Sequence, residues 1–220
     1  MVKLSGLVTE SFGPVSVEVG HGETFGFQTE SEYAAGVMME TLTGSLRPEA
    51  GSVEVMGLDL YAVERRKAME VFRNVGVVWS DGGLISNLKV WENIALPAMY
   101  HEGASPASIE GRVVELLGTL GISGSYAEAY LSRLPGLLPR HERRIAGLVR
   151  AMVTEPGLMI YEDVFDGLTP YEAGRLAGVI VEFQQARAGR ASVFVVKDWD
   201  SIDLLGVTRT VELLPKNPRR

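Results

Sequence analysis

Two kinds of apolar pattern alternate along the chain, and together they predict strands separated by helices. Val15, Val17 and Val19 alternate with polar residues, as in a strand that buries one face. The segments 158–161 and 192–196 are almost wholly apolar, which is typical of strands covered on both faces. The predicted strands are 15–19, 24–27, 52–56, 75–79, 158–161, 192–196 and 211–214.

Apolar residues recur every three or four positions between these strands, which predicts helices packed against a sheet. One predicted helix buries a face from Ala34 to Leu42 and ends near Gly44, a candidate C-cap. Another spans 61–72. A third spans 171–188 and buries Leu176, Val179, Ile180 and Phe183.

The middle of the chain, from about residue 84 to 152, has mostly helical periodicity. Ser105 and Pro106 are typical of an N-cap followed by proline at the first helical position. One apolar face follows, made by Ile109, Val113, Leu116 and Leu120. The pattern therefore predicts one α/β domain over residues 1–220, a mostly parallel sheet wrapped by helices. Its core lobe is expected at 1–83 and 153–220, and its helical lobe at 84–152.

The amino-acid composition argues against several functional classes. The chain has 21 Lys and Arg residues against 28 Asp and Glu residues, a formal net charge of −7 that argues against a general nucleic-acid binder. The absence of cysteine excludes disulfides and thiolate zinc sites. No apolar run approaches a membrane span and the start lacks a signal-peptide layout, so we expect a soluble intracellular chain. The three histidines are far apart in sequence and predict no metal site.

One local exception to the acidic composition is a group of arginines near the end of the helical segment. Its members are Arg140, Arg143, Arg144 and Arg150. The favoured interpretation is a solvated helix face. The alternative is contact with lipid phosphates or with an acidic partner surface.

Several short strings stand in a fixed order along the chain. They are Gly-Glu-Thr-Phe-Gly at 22–26, Leu-Arg-Pro-Glu-Ala-Gly-Ser-Val at 46–53, Gly-Leu-Asp-Leu at 57–60, Asn-Leu-Lys-Val-Trp-Glu-Asn-Ile-Ala-Leu-Pro at 87–97 and Arg-Ala-Met-Val-Thr-Glu-Pro at 150–156. The ordered set resembles the ATP-binding subunits of ABC transporters over nearly the whole chain. The sequence at 91–97 is similar to that of ABC ATPases of the lipid-trafficking, Mla-like group. The resemblance implies a P-loop NTPase-like fold with an inserted helical lobe.

The resemblance places the phosphate-binding loop, G-x-x-x-x-G-K-[ST], at residues 29–36. In that motif the glycines let backbone N–H groups close on the phosphates, the lysine neutralises charge and the hydroxyl holds magnesium. The four defining positions carry, in order, Thr29, Ala34, Ala35 and Gly36. Two acidic residues also lie where the polyphosphate would sit, Glu30 and Glu32. We therefore predict that this loop does not bind ATP.

Other family motifs are altered as well. Ser80 stands at the Q-loop glutamine, Thr169 at the D-loop aspartate and Lys197 at the switch histidine. The Walker B acids appear in exchanged order as Glu162 and Asp163.

The signature loop falls on residues 138–142, where Arg140 and His141 replace the two glycines that allow close backbone approach. A competing placement starts at Leu131 and Ser132. The residues after it restore no glycine pair.

The predicted function is therefore a catalytically inactive ABC-ATPase-like subunit, a scaffold or regulator of a membrane transport system whose cargo, by the narrower resemblance, is lipid. No catalytic, cofactor-binding or metal-binding residue is assigned, and no cofactor is expected. The resemblance implies a transmembrane permease or a competent ABC ATPase subunit as partner, and a dimer. It implies no nucleic acid, and a cytoplasmic location at the inner membrane face with membrane contact only through the partner.

The expected docking surface lies between the Q-loop region and the helical lobe. The residues assigned to it are Ser80, Asp81 and Trp91. The alternative function is a nucleotide-binding switch or residual ATPase with a rearranged pocket. In that pocket Lys197, Arg140 and Glu162 would take over the lost roles.

Overall fold

The computed structural model describes residues 1–197 and 202–216, apart from the side chains of His101 and Glu102. Its strands are β1 (Val2–Val8), β2 (Val15–Val19), β3 (Thr24–Gln28), β4 (Ala50–Val55), β5 (Leu58–Asp59), β6 (Val75–Val78), β7 (Leu158–Glu162), β8 (Ala191–Val196) and β9 (Arg209–Glu212). Its α-helices are α1 (Glu32–Leu42), α2 (Arg65–Val71), α3 (Val90–Glu102), α4 (Pro106–Thr119), α5 (Gly124–Ser132), α6 (Arg140–Met152) and α7 (Pro170–Gln185). Over these ranges no helix is both long and apolar enough to cross a membrane.

A five-stranded parallel sheet, in the order β6-β7-β8-β3-β9, forms the centre of the fold. Strand β7 shows why its strands are apolar throughout. Leu158 and Ile160 join the hydrophobic cluster on one face, while Met159 and Tyr161 join the cluster on the other. A strand buried on both faces has no polar position to alternate with, as the sequence pattern predicted.

A second, antiparallel sheet in the order β2-β1-β4-β5 lies outside the predicted architecture. The strands expected at 15–19 and 52–56 form, but they pair through β1, which the sequence pattern did not predict. The alternating valines of β2 fit this placement, because antiparallel sheets can leave one face in water. Helix α1 shares one core with this sheet and with one face of the parallel sheet.

The helix expected at 61–72 is shorter than predicted. Helix α2 begins at Arg65, and a short 3₁₀ turn follows it. The Asp59 carboxylate accepts the backbone N–H groups of Tyr61 and Ala62, at 3.0 and 3.2 Å. An aspartate that bonds its own backbone in this way favours a turn over a helix.

Four helices, α3 to α6, follow β6 before the chain returns to the sheet at β7. Ser105 caps α4 by accepting the N–H of Ser108, and Pro106 begins the helix, as predicted. The buried face of α4 is formed by Ile109, Val113 and Leu117, whereas the predicted Leu116 is only partly buried. The helices bury a common apolar cluster against α7 and one face of the parallel sheet.

Helix α6 approaches the loop after β6 at two glycines. A Cβ added to Gly147 would lie 2.4 Å from the carbonyl oxygen of Gly82, and one added to Gly82 would lie 2.2 Å from the carbonyl oxygen of Arg143. Both obstacles are backbone atoms, which cannot rotate away. The contact therefore needs both residues to lack a side chain.

Gly147→Ala should lower the free energy of unfolding by roughly 2–4 kcal/mol, because the methyl group would push α6 away from the loop. The matched control is Gly111→Ala on the exposed side of α4, where a Cβ meets nothing within 4 Å. There the better helix propensity of alanine should stabilise the protein by up to about 1 kcal/mol. Urea unfolding of both variants checks the pair, and equal effects would contradict the close approach.

Candidate functional site

The loops that follow β3, β6, β7 and β8 gather at one edge of the parallel sheet. Parallel strands end on the same side, so their carboxyl ends form the usual ligand-binding edge of an α/β sheet. Backbone hydrogen bonds join these loops: the N–H of Thr29 donates to Val196 O at 3.0 Å, and the N–H of Asp163 donates to Val195 O at 3.0 Å. The structure thus brings together the predicted Walker A, Q-loop, Walker B and switch positions.

The connection from β3 to α1 is short. Only residues 29–31 separate the strand from the helix, which begins at Glu32 with Ser31 as its N-cap. The hydroxyl of Ser31 accepts the N–H of Ala34 at 3.2 Å, and its carbonyl accepts the N–H of Ala35 at 3.0 Å. These two amides are therefore committed within the helix and do not point into an open loop.

Position 35 lies inside the core. The side chain of Ala35 has 0% exposure and belongs to the apolar cluster around α1, and Ala34 is 5% exposed. The acidic side chains of Glu30 and Glu32 lie on the exposed side of the connection. This end of the sheet therefore presents carboxylates to solvent and methyl groups to the core.

The two Walker B positions are buried and each has a protein partner. Glu162 and Asp163 are 9% and 8% exposed. A carboxylate oxygen of Glu162 accepts the backbone N–H of Ser80 at 3.0 Å. Asp163 accepts the backbone N–H of Lys197 at 2.9 Å, and its other oxygen lies 3.5 Å from the Lys197 ammonium. The pair is thus engaged by the loops that follow β6 and β8.

Arg144 of α6 reaches the same edge and is 3% exposed. Its Nε donates to the carbonyl oxygen of Ser80 at 3.0 Å. Its Nη1 donates to the carbonyl oxygens of Val164 and Asp166, at 3.2 and 2.7 Å. Burial lowers the pKa of this guanidinium, and the neighbouring Arg140 acts in the same direction.

The solvated helix face expected for the arginine group is therefore wrong for Arg144. Arg150 also departs from that interpretation, because it donates to the carbonyl oxygens of Gly83 and Gly82 at 2.6 and 3.1 Å. Arg140 stays at the surface, in an ion pair with Asp166 at 3.1 Å. A helical period shows which residues share a face, but not that a distant loop will cover them.

Several curated proteins resemble the chain in sequence, although a scan against models of protein families gives no match. The protein described as "Probable ribonucleotide transport ATP-binding protein mkl", from Mycobacterium leprae, is 28% identical over 187 residues, 82% of this chain and 52% of mkl. The methionine import ATP-binding protein MetN 2 of Paraburkholderia xenovorans is 28% identical over 180 residues, 82% of this chain and 45% of MetN 2. The chain spans about half the length of the curated relatives it matches.

Solved structures share the fold at lower sequence identity. The dimeric bacterial ABC transporter cassette MJ0796 matches with a TM-score of 0.84 at 17% identity, covering 97% of this chain and 94% of its own. The cbiO1 protein of Clostridium perfringens, part of the ABC transporter complex cbiONQ, matches with a TM-score of 0.73 at 17% identity, covering 96% and 84%. The chain is a relative of the ABC transporter ATP-binding proteins. Its fold is that of the ABC ATPase cassette, as the sequence resemblance implied.

The predicted signature segment of this ABC-type cassette leads directly into α6. Leu138 is buried, Pro139 precedes the helix, and Arg140 and His141 form its exposed first turn. In the part of the chain that the structure describes, no three His, Cys, Asp or Glu side chains come together at metal-binding distance.

The three predicted docking residues of the cassette are close in sequence but differ in exposure and in contacts. Asp81 is exposed and accepts the N–H of Gly83 at 2.8 Å. Ser80 is held through its backbone by Glu162 and Arg144. Trp91, in the first turn of α3, is half-buried against the helical cluster.

Asp163 makes the stability of the cassette depend on pH. Burial raises the pKa of this carboxyl above its ordinary 3.8, against the opposing effect of the Lys197 N–H and ammonium. Because the folded pKa lies above the unfolded one, protonation favours the folded state. The stabilisation from Asp163 is thus present below the unfolded pKa and is lost as pH rises through the folded pKa.

Asp163→Asn removes this titration but keeps an oxygen that can accept the Lys197 N–H. The wild type should therefore gain stability relative to Asp163→Asn as pH falls from neutral toward 3.8. Thermal melts of both proteins across that range measure the difference. A difference that stays constant with pH would rule out the raised pKa.

Proposed function

We propose that this chain is a catalytically inactive ABC-ATPase-like subunit that acts as a scaffold or regulator in a membrane transport system. The observation that carries the proposal is the connection from β3 to α1. Three residues form it, two of the first amides of α1 are bonded within the helix, and Ala35 is packed in the core. A phosphate-binding loop needs free backbone N–H groups and a cation at this place.

The acidic edge supports the same proposal. Glu30 and Glu32 are exposed beside the connection, where the family places a polyphosphate. Like charges at close range repel even at the moderate effective dielectric near a protein surface. The cation at the switch position, Lys197, is paired with Asp163 at 3.5 Å.

In the family, each ATP lies between the phosphate-binding loop of one subunit and the signature loop of the other. This chain would bring Ala35 to one composite site, and Arg140 and His141 to the other. A dimer of this chain with a competent ATPase would therefore have two impaired ATP sites. We therefore assign the chain an interaction role beside a permease or a competent subunit, with lipid as the cargo implied by residues 91–97.

The alternative nucleotide switch gains no support from side-chain geometry. Its three residues each have a protein partner: Lys197 pairs with Asp163, Arg140 with Asp166, and Glu162 with the Ser80 N–H. A nucleotide would have to compete with all three contacts. The alternative stays a hypothesis, and the titration with ATP and magnesium described next tests it.

Calorimetric titration with ATP and magnesium should give no heat with this chain, and millimolar ATP should leave its melting temperature unchanged. A competent ABC cassette in the same buffer is the positive control, and circular dichroism confirms that the chain tested is folded. Micromolar binding would overturn the proposal. If that binding disappeared in Lys197→Ala, the nucleotide switch would be supported instead.

Exposed apolar side chains on α3 and in the loop before it support the docking surface. Ile85 is 43% exposed and is held to α3 by Asn93, whose side chain exchanges two hydrogen bonds with its backbone at 2.7 and 3.0 Å. Leu96 and Met99 on α3 are 40% and 43% exposed. Residues three apart on a helix are neighbours, so Leu96 and Met99 form an apolar patch of the kind found at protein interfaces.

Asp81→Lys and Leu96→Glu should each weaken co-purification of a membrane protein with the tagged chain from detergent-solubilised host membranes. The first reverses a charge on the proposed surface, and the second places a charge among its apolar side chains. Glu110→Lys, an equal charge reversal on the exposed face of α4, is the matched control. Full retention of the partner by both variants would remove this surface from the proposal.

A further inference from the structure

A cavity of about 190 Å³ opens to solvent between α6, α7 and the loops at 120–122 and 164–168. No residue of the connection between β3 and α1 lines it. Its inner wall is formed by buried apolar side chains, which include Ile122, Leu148, Val164 and Leu176. An apolar cavity of about 150 Å³ is already large enough to hold benzene, so this one can accept a group of one-ring size.

The two buried charged side chains of the wall, Glu142 and Arg144, leave no polar atom for a ligand to find. Glu142 Oε2 and Arg144 Nη2 have no hydrogen-bond partner, but each has less than 1 Å² of accessible surface. The other oxygen of Glu142 accepts the hydroxyl of Tyr126, and Nε and Nη1 of Arg144 donate to backbone carbonyls. A ligand must therefore make its polar contacts at the open side of the cavity.

Two exposed residues of opposite charge line that open side, Glu172 and Arg175. They are three apart on α7 and are therefore neighbours on one face of the helix. They form no ion pair with each other, and within residues 1–197 and 202–216 Arg175 has no acidic partner at all. Both charges are thus accessible at the mouth of an apolar cavity.

Neutral contacts hold the Arg175 side chain across this mouth. Its Nη1 donates to the carbonyl oxygen of Leu120 at 3.3 Å, and its Nη2 donates to the hydroxyl of Tyr171 at 2.9 Å. The guanidinium also lies against Gly121, where no room is left for a Cβ. Five N–H groups belong to a guanidinium, so donors remain for an anion.

The Glu172 carboxylate is also held at one side only. Its Oε2 accepts the backbone N–H and the hydroxyl of Thr169, at 2.8 and 2.7 Å, while Oε1 accepts no hydrogen bond from the described residues. The bonds from Thr169 lower the pKa of Glu172, so this carboxylate is charged at neutral pH. An ammonium group can therefore bind at Oε1 without displacing the helix cap.

The charges around the cavity balance. Besides His141, the lining contains two acids, Glu142 and Glu172, and two arginines, Arg144 and Arg175. A ligand with a net charge is attracted by one pair and repelled by the other, whereas a zwitterion can place each of its charges beside the opposite one. The lining therefore favours a molecule with both charges and no net charge.

We propose that this cavity binds a free α-amino acid with an apolar side chain of about the size of leucine or phenylalanine. The side chain lies against the apolar wall, the carboxylate pairs with Arg175 and the ammonium group pairs with Glu172. This assignment goes beyond the proposed function and does not depend on whether the chain binds ATP.

The probes are L-phenylalanine, 2-phenylethylamine, 3-phenylpropionate and L-alanine, titrated at millimolar concentration into the ¹⁵N-labelled chain and followed by amide chemical shifts. L-phenylalanine should bind about three- to tenfold more tightly than the amine or the acid, because each lacks one of the two exposed ion pairs. L-alanine, which has no apolar body, should not bind measurably. If L-phenylalanine does not bind, the proposal is overturned. Equal affinity of the three aromatic probes would overturn the roles of Glu172 and Arg175.

Arg175→Gln should reduce the affinity for L-phenylalanine to that for 2-phenylethylamine and leave the affinity for 2-phenylethylamine unchanged. Arg187→Gln removes another exposed arginine, beyond the end of α7 and outside the lining, and is the matched control. It should bind both molecules as the wild type does. An equal loss for both molecules in Arg175→Gln would show a structural effect and would contradict the carboxylate pairing.

Leu176→Phe should abolish binding of L-phenylalanine, since the larger side chain takes up space in the cavity from α7. Val179→Phe, at a partly buried position of α7 that does not line the cavity, is the matched control and should still bind. Circular dichroism confirms that both variants are folded. Binding that survived in folded Leu176→Phe would place the ligand elsewhere and overturn the proposal.

Discussion

The guanidinium of Arg144 joins three parts of the chain that are distant in sequence. It donates to the carbonyl oxygens of Ser80, Val164 and Asp166, and so ties α6 to the loops after β6 and β7. Placing an arginine at 3% exposure is costly unless its hydrogen bonds are made. The fold meets this requirement at Nε and Nη1 by turning carbonyl groups of both loops toward one side chain, while Nη2 has no protein partner. The loops at the sheet edge are therefore positioned by a residue of the helical segment.

The carboxylates at the same edge also have protein partners. Glu162 is satisfied by a backbone N–H of Ser80, and Asp163 by the backbone and ammonium of Lys197. The fold matches ABC ATPase cassettes over almost its whole length. Fold and chemistry are separable in such proteins, since function depends on the residues of the site.

The strands of the parallel sheet could be predicted because burial on both faces leaves a local mark, an unbroken apolar run such as that of β8. The second sheet could not, because pairing through β1 depends on contacts that no local pattern encodes. The helix at 61–72 was predicted too long, because the Asp59 side chain accepts the backbone N–H groups of residues 61 and 62 in a turn. The motif positions along the sheet edge were predicted from the family resemblance, whereas the burial of Arg144 depends on loops 64 and 20–22 residues away in sequence.

The start of α1 at Glu32 limits what a single substitution can do at this place. Ala35 is enclosed in the core, so a mutation to lysine would bury an ammonium group or force the first turn of the helix apart. Building the motif G-x-x-x-x-G-K-[ST] on this backbone would take several changes together, with glycines to open the turn besides the lysine and the hydroxyl. The sequence of this connection is therefore coupled to the packing of α1 against the sheet.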